Sequence, residues 1–482
     1  MARNLVVVAI ALLLIPFAPA QEPKTESLKE FVQKNTTRHA VGLYLQNKKV
    51  GWMITELKLG TRGGKEVAVE KSEMLLKLKA ESETSVVTEK ELICYSLEGD
   101  GRIVYAENRS TSDGKDTVHI ATPTAKGMKV VTTVGGVATS REVPALKATL
   151  RLNQKLTNWF LSNPKIDSTF EHWGTSWEDE EIDSKELYTY KGKKSIVWGG
   201  VRTDVYVLKI NMQGAFFEAE MLANGNPIRG KIGQLLDMRA ESEELVKKLD
   251  EGGVDMIAAS SIKVDQDLGS SSLVSHLTLE VVGLQDFEFP TSHRQRVRRE
   301  DGKVYLDLWK DYRVQKGSPL SEADKKKYTS PTPTIQSGQE KVKRLARQIV
   351  GAETDPLKQA ALLKTWVYRN LRKTMACNSS TTLGVLETMA GDCTEHTLLF
   401  VSLARAIGLP ARELTGVAHV EKIFGWHAWA EIHDGHQWVS VDPTWNELYV
   451  DATHVVFSHD SQNHSWLNVL GRVSFKAIKV EK

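Results

Sequence analysis

The stretch "AGDCTEHTLLFVSLARAIGLPAR", residues 390–412, has the pattern of a turn that leads into a buried helix. Asp392 is a favourable N-cap residue, and apolar residues then recur at helical spacing for three turns. Gly408 follows the last of these residues, where a helix commonly ends. The stretch therefore predicts a helix that begins at Cys393.

Cys393 has two interpretations at this position. At the start of a helix, unpaired backbone N–H groups and the positive end of the helix dipole favour a thiolate. One of these N–H groups could also stabilise an oxyanion. Cysteine is also often buried as a small hydrophobic residue, so the position alone leaves both interpretations open.

A second informative stretch, "GWHAWAEIHDGHQWVSVDPTWNE", covers residues 425–447. Two runs with alternating apolar residues flank Asp434-Gly435, a dipeptide that favours a two-residue type I′ hairpin turn. Pairing outward from this turn sets His427 directly opposite Asp442, with Cβ atoms about 4.5–5.5 Å apart. A carboxylate beside an imidazole fixes its tautomer and stabilises its charged form.

Cysteine, histidine and aspartate together are the residue types of thiol acyl transfer. The thiolate attacks an amide carbonyl, the imidazole takes and returns the proton, and the carboxylate orients the ring. We predict these roles for Cys393, His427 and Asp442. His396, one turn after the cysteine, is an alternative base.

The remaining histidines suggest no further chemistry. His433 and His436 flank the predicted turn and are expected to face solvent, and His419 is expected in a loop. A metal site built from these two turn histidines with His427 and Asp442 is disfavoured, because His427 and His436 lie at opposite ends of the hairpin. We predict neither a metal nor a cofactor.

Three motifs resemble those of the transglutaminase-like superfamily, which has a papain-like thiol-enzyme fold. They are "GDCTEHTLLFVSLARAIGLPAR", "HAWAEI" and "WVSVDPTWN", in the family's order and spacing, and the resemblance covers residues 337–482 up to and beyond the closing "DATHVVF". It implies Cys393 as nucleophile, His427 as general base and acid, and Asp442 as the orienting carboxylate. The calcium loops of animal transglutaminases have no visible counterpart.

The resemblance implies a cysteine acyltransferase or peptidase that acts on peptide or protein amides through a thioester. Hydrolysis is slightly favoured over amine transfer or cross-linking, because an open groove admits water. The alternative is a non-catalytic binding or scaffold protein with a transglutaminase-like domain. An intact set of cysteine, histidine and aspartate argues against that alternative.

The amino terminus has the pattern of a secretory signal. Arg3 precedes an apolar stretch, and Ala18-Pro19-Ala20 has the form of a cleavage site, so we expect residues 1–20 to be removed and the protein to be periplasmic or secreted. The chain has 3 cysteines. Cys94 and Cys377 would be free to pair with each other, but the sequence does not decide this.

The sequence pattern changes from strand-like to helical near residue 335. Residues 25–315 read as a β-rich antiparallel region of one or two units, with a helix predicted in "QLLDMRAESEELVKKLDEGG" from Gln234. A linker is predicted at 316–336, and helical periodicity follows it. The expected fold class is α+β: a β-rich N-terminal region, then a catalytic domain at 337–482 with helices packed on an antiparallel sheet.

Charge composition limits the partners. The 63 basic and 61 acidic residues give a net charge of +2, which argues against nucleic acid as the main partner. After signal cleavage no segment is apolar enough to be an integral membrane segment. The expected partner is a peptide or protein substrate. The N-terminal region is a candidate for contact with the cell envelope.

Overall fold

A computed structural model describes most of the chain. The described residues are 26–482, with the exception of 81–82, 113–114, 178, 180, 223–225, 233–235, 251–253, 256–258, 375–378, 460–466 and 469–470. The predicted signal segment and Cys377 lie outside the described residues. Contacts divide the chain into two compact units, and the division follows Asp255.

The first unit is built on one long antiparallel sheet. Its order among the described strands is β8-β7-β6-β5-β4-β3-β2-β1-β14-β13-β12-β11-β10-β9. The first and last of these strands in the sequence, β1 and β14, pair with each other within the sheet. The strands are β1 Thr37–Leu45, β2 Lys48–Arg62, β3 Lys65–Ala80, β4 Glu83–Ser96, β5 Ile103–Ser112, β6 Lys115–Pro123, β7 Met128–Val134, β8 Val137–Val143, β9 Thr169–Thr175, β10 Asp183–Trp198, β11 Val201–Met212, β12 Ala215–Met221, β13 Pro227–Ile232 and β14 Leu236–Ala240.

Helices α1 (Leu28–Lys34), α2 (Leu150–Leu161) and α3 (Glu243–Val246) complete the described elements of this unit. The antiparallel β-rich region predicted from the sequence is confirmed. Alternation along its strands follows the pleat: in β12, every second side chain from Ala215 to Met221 is buried. Cys94 is a free thiol buried in β4, and its possible partner Cys377 falls outside the described residues.

The helix predicted from Gln234 is wrong over its first half. Leu236–Ala240 forms strand β14, and only Glu243–Val246 is helical. β14 pairs with β13 on one side and β1 on the other, and it buries Leu236 and Met238. These tertiary hydrogen bonds outweigh the local helix propensity of the segment.

The second unit contains a second sheet, with the path β17-β18-β16-β26-β15-β22-β21-β25 among the described strands; β23 pairs with β22 and β24. The strands are β15 Ile262–Val264, β16 His276–Val282, β17 Gln295–Glu300, β18 Lys303–Trp309, β21 Ala411–Val420, β22 Ile423–His433, β23 Trp438–Asp442, β24 Glu447–Leu448, β25 Val455–Ser458 and β26 Ser474–Glu481. A short parallel pair joins β19 (Arg372–Lys373) to β20 (Ala390–Gly391).

The unit's helices are α4 Glu322–Thr329, α5 Glu340–Val350, α6 Pro356–Asn370, α7 Thr382–Thr388 and α8 Cys393–Ala406. The helical periodicity predicted after residue 336 is confirmed. In α6, for example, Asp355 is the N-cap and Pro356 is the first helical residue, as is common at helix starts. α8 is the central helix: Leu399, Phe400 and Leu403 on it are fully buried in a core shared with α5, α6 and α7.

The contacts divide the chain at an earlier point than the predicted border at residue 315. β16, β17 and β18 lie within 276–309, and they belong to the second sheet because β16 pairs along its length with the C-terminal strand β26. The sheet of the second unit therefore includes strands that precede the helical segment in sequence. The predicted border followed the change from strand-like to helical periodicity near residue 335, whereas the true border is set by strand pairing between distant segments.

The predicted linker at 316–336 is also structured in part. Residues Glu322–Thr329 form α4, and Ile335 is buried in the core around α8. The backbone O of Ser330 accepts a hydrogen bond from Arg405 at 2.9 Å. The proline and lysine content of the segment indicated a flexible connection, but these contacts attach it to the second unit.

Within the described residues, no helix combines the length and apolar character needed to cross a bilayer.

Candidate functional site

Cys393 is the first residue of α8, as the sequence predicted, and its side chain is partly exposed. The helix begins with a capping box. The Asp392 carboxylate accepts a hydrogen bond from Thr394 N at 2.7 Å, and the Glu395 carboxylate accepts one from Asp392 N at 2.9 Å. These bonds fix the first turn, and with it the direction of the thiol.

Glu395 also ties this turn to a neighbouring segment. Its second carboxylate oxygen accepts a hydrogen bond from Ser379 N at 2.9 Å, and the side chain is buried. It passes so close to the backbone of Gly391 that a Cβ at residue 391 would lie 2.3 Å from the Glu395 Cβ. Glycine before the N-cap is therefore a steric requirement of the capping box.

The structure brings together the three residues that the sequence predicted. His427 Nε2 lies 2.8 Å from Asp442 Oδ2, and Cys393 is close enough to the His427 ring to contribute to the raised pKa of that ring. Asp442 is fully buried and His427 almost so. Because Nε2 is bonded to the carboxylate, Nδ1 is the ring nitrogen left to face the thiol.

The Asp442 carboxylate is saturated with donors. Its Oδ1 accepts hydrogen bonds from Thr444 N at 2.6 Å and Trp445 N at 3.2 Å. Burial alone would raise the pKa of Asp442, but the positive charge of His427 and the hydrogen bonds from His427 and His454 hold this pKa well below its ordinary value. The carboxylate is therefore ionised throughout the physiological range.

The protonation state of His427 follows from this carboxylate. Burial acts to lower the pKa of His427, but the charge and hydrogen bond of Asp442, with a smaller contribution from Cys393, raise it to about 9. The ring is consequently an imidazolium at neutral pH. An imidazolium beside a thiol favours its thiolate form, which is the nucleophilic form.

The predicted register of the hairpin is wrong by two residues. His433 pairs with Trp438, and Ala430 pairs with Val441 at the other end of the ladder. Direct pairing of His427 with Asp442 is therefore absent, and the two meet diagonally. A shift of two residues leaves every side chain on its original face, so the contact survives the error.

The cause of the register shift lies in the turn. Four residues, 434–437, connect the strands, because the Asp434 carboxylate accepts hydrogen bonds from His436 N at 2.8 Å and Gln437 N at 2.7 Å. The Gln437 side chain in turn binds Val314 N at 2.6 Å and Tyr312 O at 2.8 Å. These contacts with a distant segment replace the two-residue turn that the dipeptide favours locally.

Trp445 covers the imidazole. Its ring stacks on His427 with centroids 4.4 Å apart and an interplanar angle of 15°. Trp429 is fully buried and lies further from the His427 ring, at 5.9 Å. Trp426 instead donates a hydrogen bond to Ser260 O at 2.9 Å, and Trp438 packs beneath the Arg412 guanidinium.

The other histidines differ from the sequence interpretation. His433 is buried rather than solvent-facing, and its Nδ1 accepts a hydrogen bond from Gly435 N; burial lowers its pKa. His436 is half-buried, and its Nε2 lies 3.1 Å from Val314 O. His419 is a buried residue of β21, not a loop residue. Segments from outside the motif region contact two of these residues: His436 bonds to the loop at Val314, and the Ser271 hydroxyl lies 3.0 Å from His419 Nδ1.

His396 is poorly placed to act as an alternative base. Its Nδ1 donates a hydrogen bond to Asp392 O at 2.7 Å, within the same helix. The ring is fully buried, and burial lowers its pKa. It is therefore held against its own helix as a neutral ring.

One residue of the site was missed by sequence reasoning. His454, in the "DATH" segment before β25, is fully buried and lies 3.4 Å from Asp442 Oδ2 through its Nε2. The segment was part of the family resemblance, but no pairing pattern linked it to Asp442. Only the fold of the sheet brings it there.

Among the residues that the structure describes, two groups of side chains have the spacing that a metal ion requires. The ligand atoms of His427, Asp442 and His454 lie within 4.8 Å of one another, as do those of Glu447, Asp451 and His454. His433 and His436, weighed in the sequence-based alternative, belong to neither group. Hydrogen bonds link the members of each group, with Glu447 joined to the backbone N–H of Asp451 at 3.4 Å, so we assign no metal to them.

Comparison with known proteins identifies a family for the part of the chain that holds these residues. Residues 343–443 match the family model of the transglutaminase-like superfamily, and this range contains Cys393, His427 and Asp442. An uncharacterized protein of Haemophilus influenzae is 36% identical over 99 residues. Those residues are 20% of this chain and 27% of that relative, so the match spans about a quarter of the relative's length.

Two solved structures are also similar to part of the chain. A proposed cysteine protease from Cytophaga hutchinsonii is 17% identical with a TM-score of 0.28, covering 43% of this chain and 86% of that one. The periplasmic domain of TgpA from Pseudomonas aeruginosa, bound to ethylmercury, is 16% identical with a TM-score of 0.26, covering 41% of this chain and 87% of that one.

Proposed function

We propose that this chain, whose residues 343–443 form a transglutaminase-like domain, is an exported thiol enzyme that acts on amide bonds of peptides or proteins. Cys393 is the nucleophile, His427 the general base and acid, and Asp442 the carboxylate that orients the ring. The observation that carries the proposal is the hydrogen bond between the His427 ring and the buried Asp442 carboxylate, with Cys393 close enough to the same ring to contribute to its raised pKa.

The reaction proceeds in two steps. In the first, Cys393 Sγ attacks the amide carbonyl carbon, and the C–N bond breaks as His427 gives its proton to the leaving amine. The acyl group is then held on Cys393 as a thioester. The N–H group of Cys393 has no acceptor within its own helix, which makes it suited to stabilise the oxyanion.

The second step releases the acyl group. Water attacks the thioester, His427 accepts the proton of that water, and the C–S bond breaks to give the carboxylic acid and the thiolate, with His427 again protonated. A primary amine in place of water gives a new amide. We propose hydrolysis as the main outcome, because partial exposure of Cys393 leaves water with access to the thioester.

The charge distribution supports these steps at neutral pH. His427 is an imidazolium, with a pKa raised to about 9 mainly by the Asp442 carboxylate, which outweighs burial. It therefore holds the proton that the leaving amine needs. Trp445 fixes the ring plane from one side, so the ring has little freedom to rotate away from the thiol.

A peptide library tests the proposal directly. The full-length mature protein is incubated with the library, with and without a primary amine, and the products are identified by mass spectrometry. We expect new carboxyl termini or deamidated side chains with the wild type, and no products with Cys393→Ala. Equal product formation by the two proteins would refute the assignment, and amine adducts in place of acids would replace hydrolysis with transfer.

A further inference from the structure

His454 occupies an unusual position between two carboxylates. Its Nε2 lies 3.4 Å from Asp442 Oδ2, and its Nδ1 lies 3.3 Å from Asp451 Oδ1. The ring is fully buried, and both carboxylates are almost completely so. The mechanism proposed above uses Asp442 but gives His454 and Asp451 no role.

The geometry determines the charge of this ring. An ionised carboxylate only accepts hydrogen bonds, so each ring nitrogen that faces one needs a proton. A neutral imidazole would point a lone pair at Asp442 or at Asp451. His454 is therefore an imidazolium, in agreement with a pKa of about 9, where the hydrogen bonds to both carboxylates outweigh the lowering effect of burial.

The surroundings hold His454 in this orientation. Asp451 Oδ1 also accepts hydrogen bonds from Thr453 N and Thr453 Oγ1, both at 2.7 Å. The rings of Trp429 and Trp445 meet the His454 ring edge-on, with centroids 5.1 and 5.2 Å away. Trp445 thus contacts both imidazoles, stacking on His427 and meeting His454 at its edge.

We propose that His454 is a positioning residue of the active site: a buried imidazolium that holds the Asp442 carboxylate for His427 and offsets part of its negative charge. This inference rests on the proposed function. Without the positive charge of His454, the Asp442 carboxylate would hold the proton of His427 more strongly, and proton transfer to the leaving amine would be harder.

Other charged groups face His454 and enter the balance. Asp442, Asp451 and Glu447 contribute negative charge, and the His427 ring lies 5.7 Å away between centroids. Two further cations act on the same carboxylates: Lys364 on Asp442 and Glu447, and buried Arg294, whose Nη2 donates a hydrogen bond to Asp451 O at 2.9 Å. Of these cations, His454 is the one that bonds to the Asp442 carboxylate itself, through Oδ2, the oxygen that also bonds His427.

Nitrogen-15 NMR of the full chain labelled at histidine tests the charge of His454. The resonances lost in His454→Gln belong to His454, and we expect their wild-type shifts at pH 7.5 to be those of an imidazolium. In Asp451→Asn, we expect the same ring to lose its proton at a lower pH. A neutral ring in the wild type would overturn the proposal.

The same spectra separate this proposal from a metal site. A metal ion would bind a ring nitrogen through its lone pair and displace the proton. We therefore compare EDTA-treated protein with protein that holds one equivalent of Zn²⁺. Unchanged imidazolium signals support the proposal, whereas conversion of both His427 and His454 to a metal-bound form by that single equivalent would replace it.

The effect on the active site is read from the rate of Cys393 alkylation by iodoacetamide as a function of pH. Removal of a nearby positive charge raises the pKa of proton-binding groups, so in His454→Gln we expect the midpoint of the profile to move up by about one pH unit. His433→Gln, a buried histidine on the same strand as His427, is the matched control with an unchanged midpoint. A purely structural role would lower stability in His454→Gln and leave the midpoint in place.

The two proposals fail in different ways. If wild-type Cys393 reacts no faster than free cysteine, the proposed function falls, whereas the NMR result for His454 still stands by itself. If wild-type Cys393 is reactive but its profile does not move in His454→Gln or in Asp451→Asn, the function stands and the role of His454 is refuted.

Discussion

His427 Nε2 and Asp442 Oδ2 lie 2.8 Å apart, although the two residues are not cross-strand partners. They meet diagonally across β22 and β23, because the four-residue turn moves Asp442 along the ladder without changing its face. The contact thus requires that both side chains lie on the same face of the sheet, which the alternating sequence determines. It depends less on the length of the turn.

Substitution of Asp442 by asparagine tests the value of this contact. Asp442→Asn keeps the side-chain volume but removes the charge that raises the pKa of His427 and fixes its tautomer. We expect kcat/KM to fall by about 10³–10⁴-fold. The measurement is steady-state kinetics on a peptide substrate, and retention of more than a tenth of the activity would contradict the role of Asp442.

Trp445 offers a milder test of ring orientation. In Trp445→Ala, the ring of His427 loses its stacking partner, an interaction worth about 0.5–1.5 kcal/mol. We expect kcat/KM to fall about two- to tenfold and to be largely restored in Trp445→Phe. Trp438→Ala is the control, because Trp438 packs against Arg412 and not His427. Equal losses in both alanine variants would mean that the effect is general destabilisation.

The start of α8 is expected to be sterically strict. In Gly391→Ala, the new Cβ would lie 2.3 Å from the Glu395 Cβ and disrupt the capping box. We expect a loss of about 1–3 kcal/mol in stability, measured by calorimetry as a lower Tm. Gly425→Ala is the matched control, because a Cβ on residue 425 would have no atom within 4 Å. A Tm unchanged in both variants would contradict the close packing of this turn.

A buried acidic pair in the first unit predicts a pH effect on stability. Burial and the nearby Glu91 raise the pKa of Glu70 to about 8, from 4.5 for an exposed glutamate. Folded protein therefore binds more protons between these two values, and stability falls as pH rises through that interval. We expect Glu70→Gln, a mimic of the protonated acid, to reduce this loss. Parallel Tm profiles of variant and wild type from pH 5 to 9 would contradict this contribution of Glu70 to the pH dependence of stability.

The sequence predicted the parts of the site whose signals are local. N-cap chemistry before Cys393 and the alternating pattern around His427 each specify a residue's position on its own element. The family motifs then related the elements to one another, and the match at 343–443 confirms that resemblance. The face of the sheet on which each side chain lies was predictable, whereas the length of the turn between the strands was not.

The remaining features depend on contacts between distant segments. β16 pairs with β26 across nearly two hundred positions of sequence, and Gln437 is bound to the segment around Val314. His454 contacts Asp442 only because the fold of the sheet brings the "DATH" segment next to that carboxylate. Such contacts leave no periodic pattern, so the domain border, the turn and the second imidazole could not be read from the sequence.

The most direct test of the central claim is the alkylation rate of Cys393 at pH 6, compared with that of free cysteine. Free cysteine, with a pKa of about 8.5, is only about 0.3% thiolate at this pH. Trypsin leaves Cys377 and Cys393 in one peptide, so fragment ions must assign the modified sulfur. We predict that Cys393 reacts at least tenfold faster than free cysteine and that His427→Ala removes the advantage. A Cys393 no faster than free cysteine, with or without His427, would contradict the account.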